Sequence, residues 1–197
     1  MSTGARVSYD KGMQLAEQVM DRLRAVCERI EIAGSLRRRM PDIGDIEIVC
    51  IPLMEPRPID LFGRMTSVNL LDEYLVEVEP ENFPKRVEPD GRTAFGPKLK
   101  RLTYGGVPLD LFSVIAPAQW GPVFLIRTGP AAFSKRCVTQ RAKGGWLPND
   151  LRVDQGAIWR GAAALQTPEE DSVFAIHSPE PVAQGNRTSR RGLPRTR

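Results

Sequence analysis

The chain begins with apolar residues at helical spacing and continues with two short apolar runs. The helical spacing predicts an amphipathic helix over about residues 9–29. Residues 30–33 predict a strand that ends at Gly34-Ser35, and residues 45–51 predict a second strand. A basic turn that contains a proline connects the two strands. We therefore expect a helix followed by two strands.

The middle of the chain combines a second helix with a hairpin. Apolar residues recur at spacings of three and four over about residues 67–78, which predicts a helix capped by Thr66 or Ser67. Two apolar runs within residues 92–115 are separated by a Gly-Gly pair, and such a pair is typical of a β-hairpin. Asp110 lies on the second arm of this hairpin.

The pattern changes to helices after Pro117, where we expect a subdomain boundary. Helices are predicted over about residues 119–127 and 131–143, and glycine follows each of them. A small strand pair is predicted within about residues 152–159, and a short helix from about Pro168.

These elements predict an α+β fold in which a mixed or antiparallel sheet packs against helices. A small C-terminal subdomain of helices and strands follows the sheet. The last residues are rich in proline, glycine, arginine and serine, so we expect disorder there. The predicted division is residues 1–117, residues 118–180 and a basic tail of residues 181–197.

Composition restricts the class of protein further. A chain of 197 residues with 41% hydrophobic content can bury a core of its own. Its three cysteines lack the spacing of a zinc site or a disulfide framework. No apolar run reaches the length of a membrane span, and the N-terminus lacks a hydrophobic signal core. We expect an intracellular, cytoplasmic protein without membrane contact, and the oligomeric state stays open.

The net charge of +4 is unevenly distributed along the chain. Residues 184–197 contain five arginines and no acidic residue, so the first 183 residues carry −1. This tail is either a tether on nucleic acid or a solubilising end. A second basic segment, residues 111–149, has five cationic residues and no acidic one. It is either a solvated helix face or a surface for nucleic-acid phosphates.

Two carboxylates lie close together on the second predicted strand. Because side chains alternate between the faces of a strand, Asp45 and Glu47 share one face, and the alternate apolar residues face the core. Like charges this close repel each other, and a bound cation relieves the repulsion. Asp110, flanked by apolar residues on a later strand, is the candidate for a third ligand. Ligand sets made of oxygen alone favour Mg²⁺ over zinc.

Groups that bind phosphate precede the carboxylates. Gly34 lacks a Cβ, so backbone N–H groups can approach an anion there, and the Ser35 hydroxyl adds a donor. Arg37 and Arg38 follow, and a guanidinium can hold phosphate oxygens with paired hydrogen bonds. Gly44 offers another N–H beside Asp45. Each feature alone is typical of an ordinary turn or strand, but their order within about twenty residues favours a triphosphate and metal site.

This order of residues resembles the signature of the family X DNA polymerases. The match runs without a gap from Ile32 to Ile48, continues through residues 107–112, and extends over most of residues 9–180. In the C-terminal part, Thr128-Gly129 followed by Phe133 is similar to a family stretch beside the nucleotide sugar. The resemblance implies a nucleotidyltransferase palm, followed by a thumb-like subdomain, without lyase or helix-hairpin-helix domains. Such a form is similar to minimal viral members of the family.

The resemblance also implies roles for individual residues. Asp45 and Glu47 would ligate two Mg²⁺ ions, with Mn²⁺ as a possible substitute, and Asp110 would ligate only the catalytic ion. The expected nucleoside triphosphate ligands are Gly34, Ser35, Arg38, Gly44, Thr128 and Gly129. The expected contacts to DNA, as primer-template, gaps or ends, are Lys98, Lys100, Arg101, Lys135, Arg136 and Arg141.

Several positions depart from the family pattern. Glu47 stands where an aspartate is usual, and Ile126 and Arg127 stand where aromatic residues face the sugar. Ser134 replaces an asparagine that touches the base, and Val138 replaces the arginine that reads the nascent base pair. These departures affect the residues expected to discriminate against ribonucleotides and to read the nascent base pair.

Three functions therefore compete. The first is a template-directed DNA polymerase that fills gaps or extends ends during repair. The second is a nucleotidyltransferase that adds nucleotides without a template or modifies a small molecule or protein. The third is a scaffold that binds DNA ends without turnover, against which the retention of all three carboxylates argues.

Overall fold

The structure is a computed structural model that describes residues 6–60 and 62–177, so the predicted tail of residues 181–197 lies outside it. No helix within these two ranges is both long and apolar enough to span a membrane. The helices are α1 (Tyr9–Leu23), α2 (Gly34–Arg37), α3 (Leu70–Glu73), α4 (Trp120–Thr128), α5 (Ala131–Val138) and α6 (Glu170–His177). The strands are β1 (Val7–Ser8), β2 (Cys27–Ile32), β3 (Asp42–Ile43), β4 (Ile46–Pro52), β5 (Met54–Pro58), β6 (Met65–Asn69), β7 (Leu99–Tyr104), β8 (Val107–Ser113), β9 (Leu151–Asp154), β10 (Ala157–Arg160) and β11 (Ala163–Ala164).

A four-stranded mixed sheet forms the centre of the molecule, in the order β2-β4-β8-β7. Strands β2 and β7 run antiparallel to their neighbours, whereas β4 and β8 run parallel to each other. The predicted hairpin at Gly105-Gly106 connects β7 and β8 and is confirmed. Both glycines have positive φ, which this tight turn requires. The predicted α+β class is also confirmed.

Helix α1 covers one face of the sheet. Its N-cap is Ser8, whose side chain accepts a hydrogen bond from the Lys11 N–H. The apolar stripe of the helix packs on the alternate residues of β4 and β8, because both elements present one continuous apolar face. The predicted inward residues of β4 are fully buried, as expected: Ile46, Ile48 and Cys50.

Helix α4 packs on the opposite face. Trp120 and Phe124 lie against Val49 and Phe112, which are the outward residues of β4 and β8. Trp120 is only 1% exposed, so it is a core residue as its apolar surroundings require. Because helices cover both faces of this end of the sheet, polar side chains on the α4 face are partly buried.

The C-terminal elements form a small core of their own. Strands β9, β10 and β11 make a three-stranded antiparallel sheet, which confirms the predicted strand pair and adds one strand. Leu125, Leu147 and Ile158 are buried where this sheet meets α4, α5 and α6. The predicted subdomain boundary near Pro117 stays a prediction.

Two predicted helices are shorter than expected. The first ends at Leu23 and gives way to a 3-10 turn, because Cys27 onward pairs with β4 instead of continuing the helix. The helix predicted over 131–143 ends at Val138, and a separate 3-10 turn covers Arg141–Lys143. Long-range pairing and packing set these ends, and periodicity does not report them.

The helix predicted over 67–78 begins later than expected. Its cap is Asn69, whose side chain accepts a hydrogen bond from the Asp72 N–H, so the prediction of Thr66 or Ser67 is wrong. A π-helical turn, Tyr74–Val78, completes it. The preceding residues instead form β6, which pairs with β5 in a two-stranded hairpin that periodicity did not predict. Strand β5 contains prolines, which an edge strand tolerates.

Candidate active site

Strand register brings two of the predicted carboxylates together. Glu47 of β4 lies directly opposite Asp110 of β8 in the parallel pair, so both side chains lie on the α4 face of the sheet. Asp45 immediately precedes β4, two residues before Glu47. Asp110 is 8% exposed and Glu47 is half-buried, so two acidic groups meet in a site with little solvent.

The turn at Gly34 lies against the Glu47 side chain. Gly34 has φ +61°, and a Cβ at this position would collide with the Glu47 carboxylate. The Ala33 N–H donates to the Glu47 carbonyl at 2.8 Å, which holds the turn against β4. Glycine at this position therefore allows both the left-handed backbone and the close approach of the carboxylate.

The Ser35 hydroxyl is a donor without a partner among the described residues. Its oxygen is buried, and no group in the described chain makes a hydrogen bond to it. A buried polar atom left in this way costs free energy, and an anion bound at the turn would satisfy it. The observation fits the predicted contact with phosphate oxygens.

The two arginines after Ser35 share one hydrogen-bond partner, Thr128. Arg37 makes paired hydrogen bonds to Glu170 at 2.8 and 2.6 Å, and its guanidinium lies 4.2 Å from the centre of the Phe124 ring. Arg38 donates to the Thr128 carbonyl at 2.5 Å. Arg37 also donates to the Thr128 hydroxyl at 3.0 Å, so it joins α2 to both α4 and α6. Both arginines therefore link the Ser35 turn to the end of α4.

Thr128 and Gly129 therefore lie beside the predicted phosphate-binding turn. Gly129 caps α4, and a Cβ there would lie 2.7 Å from Phe133 and 2.8 Å from the Ser134 hydroxyl. That hydroxyl donates to the carbonyls of Ile126 and Gly129, at 2.9 and 3.2 Å. The single proton of the Ser134 hydroxyl therefore already has acceptors within the protein.

Burial and charge shift the pKa values of the two paired carboxyls. Burial first, and then the charge of Asp45, raises the pKa of Glu47 to about 7, while Arg127 and Arg38 act in the opposite direction. Burial also raises the pKa of Asp110, although the charges of Arg86 and Arg101 oppose this shift. Uncompensated negative charge is therefore costly at this site, as expected where a cation binds.

Three arginines lie near the carboxylates, and none of them was predicted to contact these groups. Arg86 lies 3.0 Å from Asp110, and Arg101, which was predicted only as a DNA contact, lies 3.6 Å from it. The Arg127 guanidinium lies 4.0 Å from the centre of the Phe112 ring, and its charge acts on Glu47. Arg101 had a sequence signal as a cation of the predicted hairpin, and Arg127 had one in the acid-free segment, whereas Arg86 had none.

The described side chains do not form a ready metal cluster. Within residues 6–60 and 62–177, no group of three or more histidine, cysteine, aspartate or glutamate side chains is arranged to hold a metal ion. Asp110 instead faces the two arginines. The donor chemistry nevertheless fits Mg²⁺, because the three candidate ligands are all carboxylates.

The predicted DNA contacts occupy different environments. Lys100 is fully buried and lies 2.7 Å from Asp72, so its prediction as a DNA contact is wrong. Lys98 is exposed and hydrogen-bonds Gln155, and Lys135 is exposed on α5. Arg136 lies over the Trp146 ring at 4.9 Å, and Arg141 donates to the carbonyls of Trp146 and His177.

Comparison with known proteins agrees with the fold. The chain is similar to polymerase beta of Leishmania infantum, solved as a ternary P/T complex. The TM-score is 0.60 with 14% sequence identity, over 88% of this chain and 73% of that one. No protein-family model and no curated protein matches the sequence. The similarity shows a polymerase beta-like fold.

Proposed function

We propose that this chain is a metal-dependent nucleotidyltransferase of the family X type that adds nucleotides to the 3′ end of a DNA strand, in gap or end filling during repair. The observation that carries the proposal is the register pairing of Glu47 with Asp110, with the Gly34 turn packed on Glu47. A polymerase beta-like fold around this pair supports it. The palm would comprise residues 1–117 and the thumb-like subdomain residues 118–180.

The carboxylates would bind the metal ions, and the Ser35 turn would bind the triphosphate. Asp45, Glu47 and Asp110 would hold two Mg²⁺ ions, or Mn²⁺ in their place, which offset the triphosphate charge and lower the pKa of the attacking hydroxyl. Ser35, whose hydroxyl lacks a described partner, would donate to a phosphate oxygen. Gly34, Arg38 and Gly44 would bind the remaining β- and γ-phosphate oxygens.

Nucleotidyl transfer requires no nucleophile from the protein. The 3′ oxygen of the DNA strand forms a bond to the α-phosphorus, the bond to the β-phosphate oxygen breaks, and pyrophosphate leaves. Asp110 would accept the proton of the 3′-hydroxyl. Thr128 and Gly129, which border the Ser35 turn through Arg38, would lie beside the sugar.

Exposed cations would contact the DNA backbone. Lys98 and Lys135 are exposed, and the acid-free segment around Lys135 carries positive charge that phosphates would neutralise. Arg136 and Arg141 would present charge beside Trp146. Binding of this kind is independent of sequence and weakens as salt concentration rises.

One observation favours a second candidate, nucleotide addition without a template. The Ser134 hydroxyl donates to two backbone carbonyls, so it has no proton left to offer a base. Ser134 would then contribute little to the discrimination between correct and incorrect base pairs. A transferase indifferent to template, or one that acts on another acceptor, would have the same carboxylates.

One assay separates these functions. The protein is incubated with Mg²⁺ or Mn²⁺, labelled nucleotides and gapped, primer-template, single-stranded or no DNA. Incorporation dictated by the template supports the first candidate, and incorporation regardless of template supports the second. Binding without incorporation supports a scaffold and contradicts both. Asp110→Ala should abolish incorporation and retain DNA binding, whereas a fully active variant would show that the assignment of the carboxylates is wrong.

A further inference from the structure

Four charged residues form a closed network beside Glu47. Arg86 lies 3.0 Å from one Asp110 oxygen, and Arg101 lies 3.6 Å from the other. Glu88 joins the two arginines, at 3.1 Å from Arg101 and 3.4 Å from Arg86. Two positive and two negative charges therefore cancel, although Asp110 belongs to the proposed metal site.

Backbone pairing fixes both arginines in place. Arg101 lies directly opposite Asp110 in the β7–β8 ladder, so the two side chains share a face. The segment that contains Arg86 runs along the outer edge of β7, where the Arg86 N–H donates to the Arg101 carbonyl at 2.9 Å. The Thr103 N–H donates to the Pro84 carbonyl at 2.9 Å and extends this pairing. Arg86 is thus held by the fold, without belonging to any motif.

The network balances charge but satisfies only part of its hydrogen-bonding capacity. The Asp110 oxygen nearest Arg86 is buried, and so is the Arg101 Nε, yet neither has a hydrogen bond of normal geometry within the described residues. Buried charged groups are stable when both charge and hydrogen bonds are satisfied. Both arginines donate to Glu88, but the hydrogen bonds to Asp110 are incomplete, so other partners can displace the contacts of Asp110 at lower cost.

We infer that Arg86 exchanges partners during binding: it releases Asp110 to a divalent cation and takes up a phosphodiester of the bound DNA strand. The inference rests on the proposed function. Once Asp110 ligates a cation, Arg86, Arg101 and Glu88 together carry one positive charge. One phosphodiester group carries one negative charge and restores the balance. Cation and strand therefore bind cooperatively at this network.

The sheet order identifies the strand, and not the triphosphate, as the anion. The predicted triphosphate turn, Gly34-Ser35, follows β2 at one edge of the sheet, whereas Arg86 lies beyond β7 at the other. Glu47 and Asp110 lie between these edges on β4 and β8. A triphosphate on the β2 side leaves the β7 side for the strand that carries the attacking hydroxyl.

The alternative is that Arg86 is a fixed counter-ion of Asp110. In that case its removal would expose uncompensated negative charge and weaken DNA binding equally with and without Mg²⁺. The exchange of partners by Arg86 predicts a different result, because Arg86 then contacts the DNA only when Asp110 binds a cation. The two roles are therefore separated by the effect of Mg²⁺, without any measurement of turnover.

The experiment measures the affinity for a fluorescent DNA duplex with a recessed 3′ end, without nucleotide, in EDTA and in Mg²⁺ at constant ionic strength. Mg²⁺ should raise the affinity of the wild type about tenfold, as one charged hydrogen bond allows. Arg86→Gln should remove this gain, so that its affinity is about the same in EDTA and in Mg²⁺. Arg92→Gln is the matched control, because Arg92 lies in the same part of the chain and pairs only with Asp90 among the described residues. It should retain the gain.

A second variant, which should raise and not lower the affinity for DNA, keeps the test valid if Arg86→Gln folds poorly. Asp110→Asn frees Arg86 without a cation, so its affinity in EDTA should rise to about the wild-type value in Mg²⁺. The double variant Arg86→Gln/Asp110→Asn should lose that rise. Retention of the Mg²⁺ gain in Arg86→Gln, or no gain in the wild type, would overturn the exchange.

Nucleotide incorporation by the wild type is measured on the same DNA. If the wild type incorporates nucleotides but Arg86→Gln keeps the Mg²⁺ gain, the exchange is wrong and the proposed function stands. If the wild type incorporates nothing on any acceptor but the predicted pattern of affinities is seen, the exchange stands and the polymerase function is wrong.

Discussion

The carboxylate of Glu47 lies against the backbone of Gly34, so closely that a methyl group on Gly34 would collide with it. The contact joins the candidate phosphate-binding turn to the candidate metal ligand. Gly34 also has φ +61°, a conformation that a residue with a Cβ adopts at a cost of about 1–2 kcal/mol. The two parts of the site are therefore coupled through a single glycine.

Gly34→Ala should consequently impair activity more than stability. The Glu47 side chain must move away from the added methyl group, so we expect nucleotide incorporation to fall at least about tenfold, because displaced catalytic groups lose rate steeply. The free energy of unfolding should fall by only about 1–2 kcal/mol. Gly91→Ala is the control, because Gly91 also has positive φ but a Cβ there meets nothing within 4 Å. Equal activity of the two variants would contradict this coupling.

The raised pKa of Glu47 predicts that the stability of the protein falls as pH rises. Its pKa is raised from 4.5 to about 7, mainly by burial and by Asp45, so the folded protein holds a proton that the unfolded chain loses between these values. Stability should therefore fall as pH rises through this window, with the full penalty above it. Allowing for partial exposure, the penalty is about 2 kcal/mol.

Glu47→Gln tests this dependence because it has no charge to bury. In EDTA, urea unfolding should show the variant to be more stable than the wild type at about pH 8, and no different at about pH 4. Mg²⁺ should stabilise the wild type at the higher pH and have little effect on the variant. A wild type that is more stable than Glu47→Gln at every pH would contradict the raised pKa.

Lys100 should contribute to stability and not to DNA binding. Its side chain is fully buried and lies 2.7 Å from Asp72, which is 39% exposed. Lys100→Ala leaves the Asp72 carboxylate without its partner, so unfolding should become easier by about 2 kcal/mol, less than for a fully buried pair. Lys98→Ala, at an exposed position, should leave stability within about 0.5 kcal/mol of the wild type. Reduced DNA affinity in a fully stable Lys100→Ala protein would contradict this assignment.

Periodicity predicted the elements that bury one continuous face. Helix α1, β4 and β8 each present a regular apolar stripe, and the alternation along β4 correctly separated Glu47 from the core residues. The pairing of Glu47 with Asp110 needed the register of two strands far apart in the chain. No local pattern encodes that register, so Asp110 was a candidate from its apolar flanks on a later strand, and the resemblance added its role as a ligand of the catalytic ion.

The missed features depend on long-range contacts. Arg86 lies in a segment without periodicity and reaches Asp110 only because that segment pairs with the edge of β7. Lys100 was mispredicted because alternation states which residues share a face but not which face is covered. The prolines of β5 concealed its hairpin, since an edge strand tolerates residues that a central strand excludes.

Two successive glutamates attach the start of α6 to β2 and to α2. Glu169 binds Arg29 at 2.6 and 3.0 Å, and Glu170 binds Arg37 at 2.8 and 2.6 Å. Each arginine also lies over an aromatic ring of α4, at 3.9 and 4.2 Å. Paired geometry of this kind is stronger than that of an ordinary surface ion pair, but these side chains are partly exposed and salt screens them.

The double variant Glu169→Gln/Glu170→Gln should therefore lose about 1–2 kcal/mol in low salt and much less in high salt, as measured by urea unfolding. Asp171→Asn removes a charge from the exposed neighbouring position and should change stability by less than about 0.5 kcal/mol. A loss that does not depend on salt would indicate that the arginines act through packing on the aromatic rings, since only the charge pairs are screened.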